Sequence, residues 1–483
     1  MQNRCFCKAA LSLREIFSLV ILVLIQAGLI IWYIGKYDEL PAWNKEIIKT
    51  GYFPSERVLS KLSPYGPGFE RELLDLFHQE HGLKAELIKL KDYEQAVDDL
   101  KQGRLQLVLI GPPHKPLEDK KLIKGHPYLE SGLLIVHNHL RYPLNSLSDL
   151  CASDLAVIDG TAFSIKLEKL AKELQCTIKP AKKTDNGMSF FETLSKRSFR
   201  FGLVDELTYS AWKGFYPQVH KTHLFQSAFE HAWVWSTNYR DIDEQLEAFW
   251  ERLEKPGELD ELYEKYFGFF PENQDPYQLR HFQRVLRDEV PEYSQTILYA
   301  SRKYGIDPLF LIALIYQESH FDPHAVSRTG VQGLLQITSQ TAEFLGMENR
   351  LDPHESILSG ARYLSMLAQE MEDIGIEFWN KWFLALAAYN QGLGHLYDAR
   401  TLAQRKEKNP DAWSGLKQVY PLLSNEEYYQ EMPRGYARGF EAVRFVENVR
   451  YYYYLAYGMI SLSRPETEHL GGFLDFVPPD WPE

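Results

Sequence analysis

Nineteen consecutive residues without a charge, Ile16 to Ile34 (IFSLVILVLIQAGLIIWYI), stand close to the start of this chain. A helix rises about 1.5 Å per residue, so a run of this length can cross the hydrocarbon core of a bilayer. Arg4, Lys8 and Arg14 precede it, and Trp32 and Tyr33 mark its far edge. Basic flanks stay on the cytoplasmic side, so the long C-terminal body is expected outside the cytoplasm. A cleaved signal peptide is the alternative, but Ile25-Gln26-Ala27 is a poor cleavage site, and cutting there would leave the apolar stretch from Gly28 to Ile34 on the mature protein. Residues 1–36 therefore read as a signal or membrane-anchor segment, with the uncut anchor favoured.

The rest of the chain is long enough for two or three domains: it totals 483 residues. Lys+Arg of 53 against Asp+Glu of 66 gives a formal charge of -13, which speaks against nucleic acid as a partner, because phosphate binding needs clustered positive charge. Four cysteines are too few for a disulfide framework, and none has metal-ligand spacing. In an exported body Cys151 and Cys176 either pair or remain two buried thiols. No metal or organic cofactor is implied.

From about 45 to 268, short β-branched runs alternate with amphipathic helical stretches, the pattern of an α/β domain with parallel strands. Leu105 to Gly111, Gly132 to Val136 and Asp154 to Gly160 are examples. The turn-rich string Phe269 to Tyr277 marks a boundary, so residues 269–285 are expected to be a linker. Residues 286–462 are helical in period, and 463–483, with Pro465, Pro478, Pro479 and Pro482, are expected to be a flexible tail.

Gly68 to Phe77, His81 to Glu86 and Leu100 to Arg104 resemble the opening of the extracellular solute-binding family that serves amino-acid transport. Leu150 to Thr161 and Gly257 to Gly268 resemble its second-lobe turn and closing helix. The resemblance implies a two-lobed periplasmic-binding-protein-like α/β domain over 45–268, non-catalytic and regulatory, that closes by a hinge on an amino-acid-like or muropeptide ligand. The family's carboxylate-binding arginine is missing from Gly111 to Lys121. Lys120 or Lys121 can replace its charge but not its planar fork.

The helical part holds the chemistry. Asp307-Pro308 is a helix start, because aspartate caps free amides and proline suits the first turn. Leu311, Leu314 and Ile315 share a face with Glu318, and Phe321-Asp322-Pro323 breaks the helix just beyond. Glu318 is thus expected in the last turn, where burial and the helix dipole both raise its pKa and suit it to act as a general acid.

Ser327 to Thr338, Asp352-Pro353 with Gly360 and Tyr363, and Ala387 to Gly392 follow in order. With Glu318-Ser319 they resemble the lytic transglycosylase family with the all-α lysozyme-like fold. Joined to a solute-binding domain and a membrane segment, the chain from about 45 to 460 resembles the membrane-bound members of that family. The resemblance implies that Glu318 protonates the oxygen between N-acetylmuramic acid and N-acetylglucosamine, then deprotonates the muramyl 6-hydroxyl. A 1,6-anhydro sugar forms and no water is consumed. Peptidoglycan strands are the implied substrate, and peripheral outer-membrane attachment is the implied location, with an inner-membrane anchor as the alternative that the uncut helix favours.

Ser319 and Gln336 can hold Glu318 or the acetamido groups, and Tyr389 and Asn390 can orient the sugar and stabilise charge at its anomeric carbon. For each, the alternative is a contact that serves the fold. Leu335 stands where the family usually has methionine, and Phe445 where it usually has tyrosine. The Tyr451 to Tyr454 run reads as packing rather than a sugar platform. A lysozyme-like hydrolase and a ligand-binding receptor with a vestigial catalytic domain are the rival readings.

Overall fold

In the computed structural model, residues 13–38, 47–91, 93–110, 119–158, 163–178, 182–239, 242–254, 257–273, 275–476, 478 and 481 are described. The chain opens with helix α1 (Leu13–Asp38). There follow β1 (Ile47–Tyr52), α2 (Phe69–Glu80), β2 (Lys84–Lys89), α3 (Tyr93–Lys101), β3 (Leu107–Ile110), β4 (Leu122–Asn138), β5 (Leu155–Ile158), α4 (Phe163–Glu173), β6 (Lys182–Thr184), α5 (Gly187–Ser195), β7 (Phe201–Asp205), α6 (Glu206–Lys213), β8 (Val219–Ser236), α7 (Ile242–Glu254) and α8 (Glu258–Phe267). The remaining helices are α9 (Pro276–Asp288), α10 (Val290–Tyr304), α11 (Pro308–Ser319), α12 (Ser339–Leu345), α13 (Pro353–Asp373), α14 (Phe378–Gln391), α15 (Leu393–Arg405), α16 (Trp413–Val419), α17 (Glu426–Tyr429) and α18 (Gly439–Ser461).

The strands lie in the order β2-β1-β3-β8-β4-β7-β5-β6. β1 pairs in parallel with β2 and β3, and β5 pairs in parallel with β6 and β7, which makes two lobes. The all-parallel expectation fails at β4 and β8. These two strands pair antiparallel with each other over most of their length and run through both lobes. Their register shifts between Lys124 and Leu129 and again near Ser131 and Ile135, where bulges let long strands bend from one lobe to the other. Each lobe keeps a small core of its own: Leu90, Leu100 and Val108 in the first, and Leu133, Leu155 and Leu203 in the second. Cys151 and Cys176 form a disulfide in the second lobe, with Cα atoms 5.8 Å apart. Gly111 to Glu118 and the Gly160-Thr161 turn lie outside the described residues, whereas Lys120 and Lys121 stand exposed.

Two boundary expectations need correction. The stretch read as a linker to 285 is helical from Pro276 onward, because Asp275 caps the first turn through Tyr277 N and Leu279, Phe282 and Val285 bury one face. The expected tail is packed rather than flexible. Pro465–Phe473 forms a 3-10 helix, Leu470 is fully buried, and Trp481 lies 5.0 Å from Trp382 and donates its indole N–H to Tyr453. Aromatic anchors outweigh a proline-rich composition there. Pro479 and Pro482 lie outside the described residues.

A single core runs from the two-lobed module into the helical domain. Its axis is α18, where Tyr451 to Tyr454 are all buried, as expected for packing. Tyr454 donates to Ala211 O at the second lobe, Tyr65 donates to Arg450 O, and Arg450 reaches Glu264 and the carbonyls that end α8. Among the described residues no helix is long and apolar enough to cross a membrane. The side chains described within α1 are Phe17, Ser18 and Val20 to Tyr33, and the large apolar ones are exposed.

Candidate active site

Helix α11 is the floor of the site. Asp307 accepts hydrogen bonds from Leu309 N (2.7 Å) and Phe310 N (3.2 Å), and Pro308 takes the first position, so the start is as expected. The apolar stripe is wider than expected. Every residue from Pro308 to Tyr316 is buried, because α11 is wrapped on all sides. The helix stops at His320 and Phe321, two non-glycine residues in the left-handed region at φ 53 and 67. Phe321 is held there by burial of its ring, only 2% exposed. This turn leaves Glu318 half-buried at the helix end.

Burial alone pushes the Glu318 carboxyl from 4.5 up to about 8. Neither an ion pair nor a hydrogen bond to its carboxyl occurs among the described residues, and no second carboxylate adds to the shift. After burial, the negative form of Glu318 also raises the pKa of Tyr389, so the two groups lie within electrostatic reach of each other.

The loop from Ser327 to Ile337 meets Tyr389, the tyrosine on which the Glu318 charge acts. Gly333 has φ 79, and a Cβ there would lie 1.9 Å from the Arg350 carbonyl, so only glycine fits. Gly360 on α13 gives the same close approach to the Leu335 side chain, 2.3 Å from a Cβ. Leu335 is tied at both ends: its N–H donates to Ser356 Oγ (3.1 Å) and its carbonyl accepts from Tyr389 (2.8 Å). Arg350 donates to Gly330 O and Ile337 O and staples the loop shut.

The other expected site residues are distributed as follows. Gln336, at φ 45, donates its amide to Ala325 O and Gly333 O, which keeps its Oε1 free of hydrogen bonds among the described residues. Ser319 spends its hydroxyl on Ile315 O, one turn back in α11, rather than on the Glu318 carboxyl. Asn390, at the end of α14, accepts from Gln391 Nε2 and stays half-buried. Phe445 stacks on Tyr389 with planes 8° apart and centroids 6.5 Å apart, and Tyr363 packs on the same ring at 5.4 Å. The missing hydroxyl of Phe445 is therefore replaced by an apolar backing for Tyr389. Arg350 and Ser356 were not singled out in the sequence, and Tyr363 entered only as a motif residue with no assigned role. Their contacts are long-range, and only the spacing of glycines in the loop hints that something presses against it.

The family model "Transglycosylase SLT domain" matches residues 295–412, and "Bacterial extracellular solute-binding proteins, family 3" matches 60–269. Membrane-bound lytic murein transglycosylase F of Shewanella baltica is 31% identical over 387 residues, 80% of each chain. The chain belongs to the membrane-bound lytic murein transglycosylase F family. Its counterpart from Shewanella pealeana is 31% identical over 414 residues, with 83% of this chain and 85% of that protein covered. Membrane-bound lytic murein transglycosylase F 1 of Alkalilimnicola ehrlichii is 29% identical over 475 residues, 95% of each. The relatives align over both parts of the chain, and the two family models fall one in the sheet-containing module and one within the helical domain.

Proposed function

We infer that this chain is a murein-degrading lytic transglycosylase. It cleaves the β-1,4 bond between N-acetylmuramic acid and N-acetylglucosamine and leaves 1,6-anhydromuramyl ends, in turnover of the cell wall. The observation that carries this reading is one half-buried carboxyl, Glu318, pushed up to about 8 by loss of solvent, with no second carboxylate among the described residues contributing to the shift. At neutral pH it is protonated and can donate to the glycosidic oxygen. Glycosidases that hydrolyse this kind of bond divide the work between two carboxylates. A lone carboxyl has to act twice, first as acid and then as the base for a hydroxyl of the substrate itself, and this route closes the anhydro ring without water.

Around Glu318, Tyr389 holds the Leu335 carbonyl and so sets the depth of the loop. Asn390 and the free Oε1 of Gln336 are the groups suited to the sugar's amide and hydroxyls, and Ser319 secures the last turn of α11. The body faces the periplasm and attaches to the membrane through Ile16 to Ile34. Three things support that: the uncharged run, the relatives described as membrane-bound, and a disulfide of the kind that persists in oxidising compartments. The binding module acts as the non-catalytic regulator, through the lobes that grip α18.

The test is release of soluble muropeptides from purified sacculi by the wild type and by Glu318→Gln. Release is expected to fall by roughly 10²–10⁴-fold in the variant, the range for loss of a general acid. Undiminished release would assign the chemistry to another residue.

A further inference from the structure

In an open α/β sheet, a ligand binds outside the carboxyl ends of the parallel strands, where the strand order switches. Here that crevice lies between the lobes. Arg57 follows β1 in the first lobe, and Asp205 ends β7 in the second. Arg57 Nη1 lies 3.3 Å from Asp205 Oδ1, and its Nε lies 3.5 Å from Glu70 Oε1, with all three side chains largely buried. The strands that pass between the lobes join the same group. Tyr128 of β4 donates to Glu70 (3.0 Å), and His231 of β8 lies 3.7 Å from Glu70 while its other nitrogen meets Ser131 of β4 at 3.0 Å. Burial drives the pKa of His231 far down, so the ring is neutral and Arg57 is the cation between two carboxylates.

We propose that the interlobe crevice of the binding module is a guanidinium site filled from within by Arg57, so that a free ligand must be a cation that displaces this side chain from Asp205 and Glu70. The burial of the pair supports this: the Arg57 side chain is only 12% exposed and that of Asp205 only 8%, so the guanidinium and the carboxylate are closed off together. The planar guanidinium suits two carboxylates at once, and a buried pair bridging two lobes resists hinge opening because separation strands both charges. The closed arrangement of the module is thus held without a small molecule, independently of the chemistry at Glu318.

The test uses the full chain in detergent with guanidinium chloride and L-arginine as probes at low-millimolar concentration. Arg57→Ala is expected to melt earlier than the wild type and to regain stability on addition of guanidinium or L-arginine, while the wild type does not respond. Asp205→Asn, which keeps an acceptor for Thr208 N, is expected to speed amide hydrogen exchange at Tyr128 to Ser131 and at His231 by at least about tenfold, since it frees the hinge. It is also expected to give no guanidinium rescue. A wild type that binds L-arginine as well as Arg57→Ala does, or an Arg57→Ala protein that gains nothing from either probe, would overturn the proposal. So would unchanged exchange in Asp205→Asn, which decides the matter alone if Arg57→Ala does not fold.

Discussion

At the residue scale, Glu318, the proposed acid, carries an electrostatic cost. Its pKa is raised from 4.5 to about 8, so the folded protein holds a proton that the unfolded chain releases in that interval. Its favourable contribution is therefore whole below about pH 4.5 and drains away as pH rises to about 8. Glu318→Gln removes the ionisation. The variant is expected to melt with the wild type near pH 4 and a few degrees above it at pH 8, as thermal scans would read. Catalysis has the matching sign: kcat/KM should fall as pH climbs through about 8, when the free enzyme loses its acid. A flat profile across that range would mean that Glu318 is not the group titrating. The position of Glu318 near a helix end was legible from Asp307-Pro308 and Phe321-Asp322-Pro323, because caps and breakers are local signals. Burial as the sole cause was not, because it comes from α11 being enclosed by other helices.

Among the elements, α11 and α18 form the frame of the site. Asp307 caps α11 but is itself buried, which pushes its pKa from 3.8 up to about 7 against the pull of the two amide bonds and Tyr453. Asp307→Ala is expected to cost about 1–2 kcal/mol through loss of the cap. Asp307→Asn keeps an acceptor without a charge, so it should equal the wild type in acid and exceed it at pH 8; denaturant melts at both pH values check this. Ser327 to Ile337 could be read as a turn from Gly330 and Gly333, yet Arg350 and Ser356 are what hold it closed. Neither has a local sequence signal for that task. The same limit explains β4 and β8. Their alternation is broken by bulges at Lys124 to Leu129, so two long antiparallel strands looked like shorter parallel ones. Trp481 and Leu470 were likewise hidden in a composition that suggests a loose tail.

For the whole molecule, the binding module and the helical domain share one core, and Arg450 is its rivet. It is fully buried, pairs with Glu264, bonds to Glu264 O and Lys265 O, and lies over the rings of Phe383 (4.2 Å) and Phe269 (4.9 Å). Arg450→Met fills the space but leaves Glu264 with Lys417 as its cation and removes the side-chain donor to the Glu264 and Lys265 carbonyls. The expected loss is about 3 kcal/mol of docking, the lower end for breaking a buried pair. Calorimetry should then show the two parts melting separately, whereas a single unshifted transition would show that Arg450 does not join them. The order of the domains was legible from composition and motif. The depth of their union was not, because Tyr65, Arg450 and Tyr454 meet partners hundreds of residues away. That union also means that a helical domain starting at Pro276 would expose the Tyr65-facing side of α18.

The most direct measurement of the central claim is mass spectrometry of the muropeptides that the wild-type chain releases from sacculi in water enriched in heavy oxygen. With Glu318 as the only acid and base, the muramyl ends are expected as 1,6-anhydro products that carry no label. Labelled reducing ends would show that water attacks the anomeric carbon and would contradict the single-carboxylate mechanism.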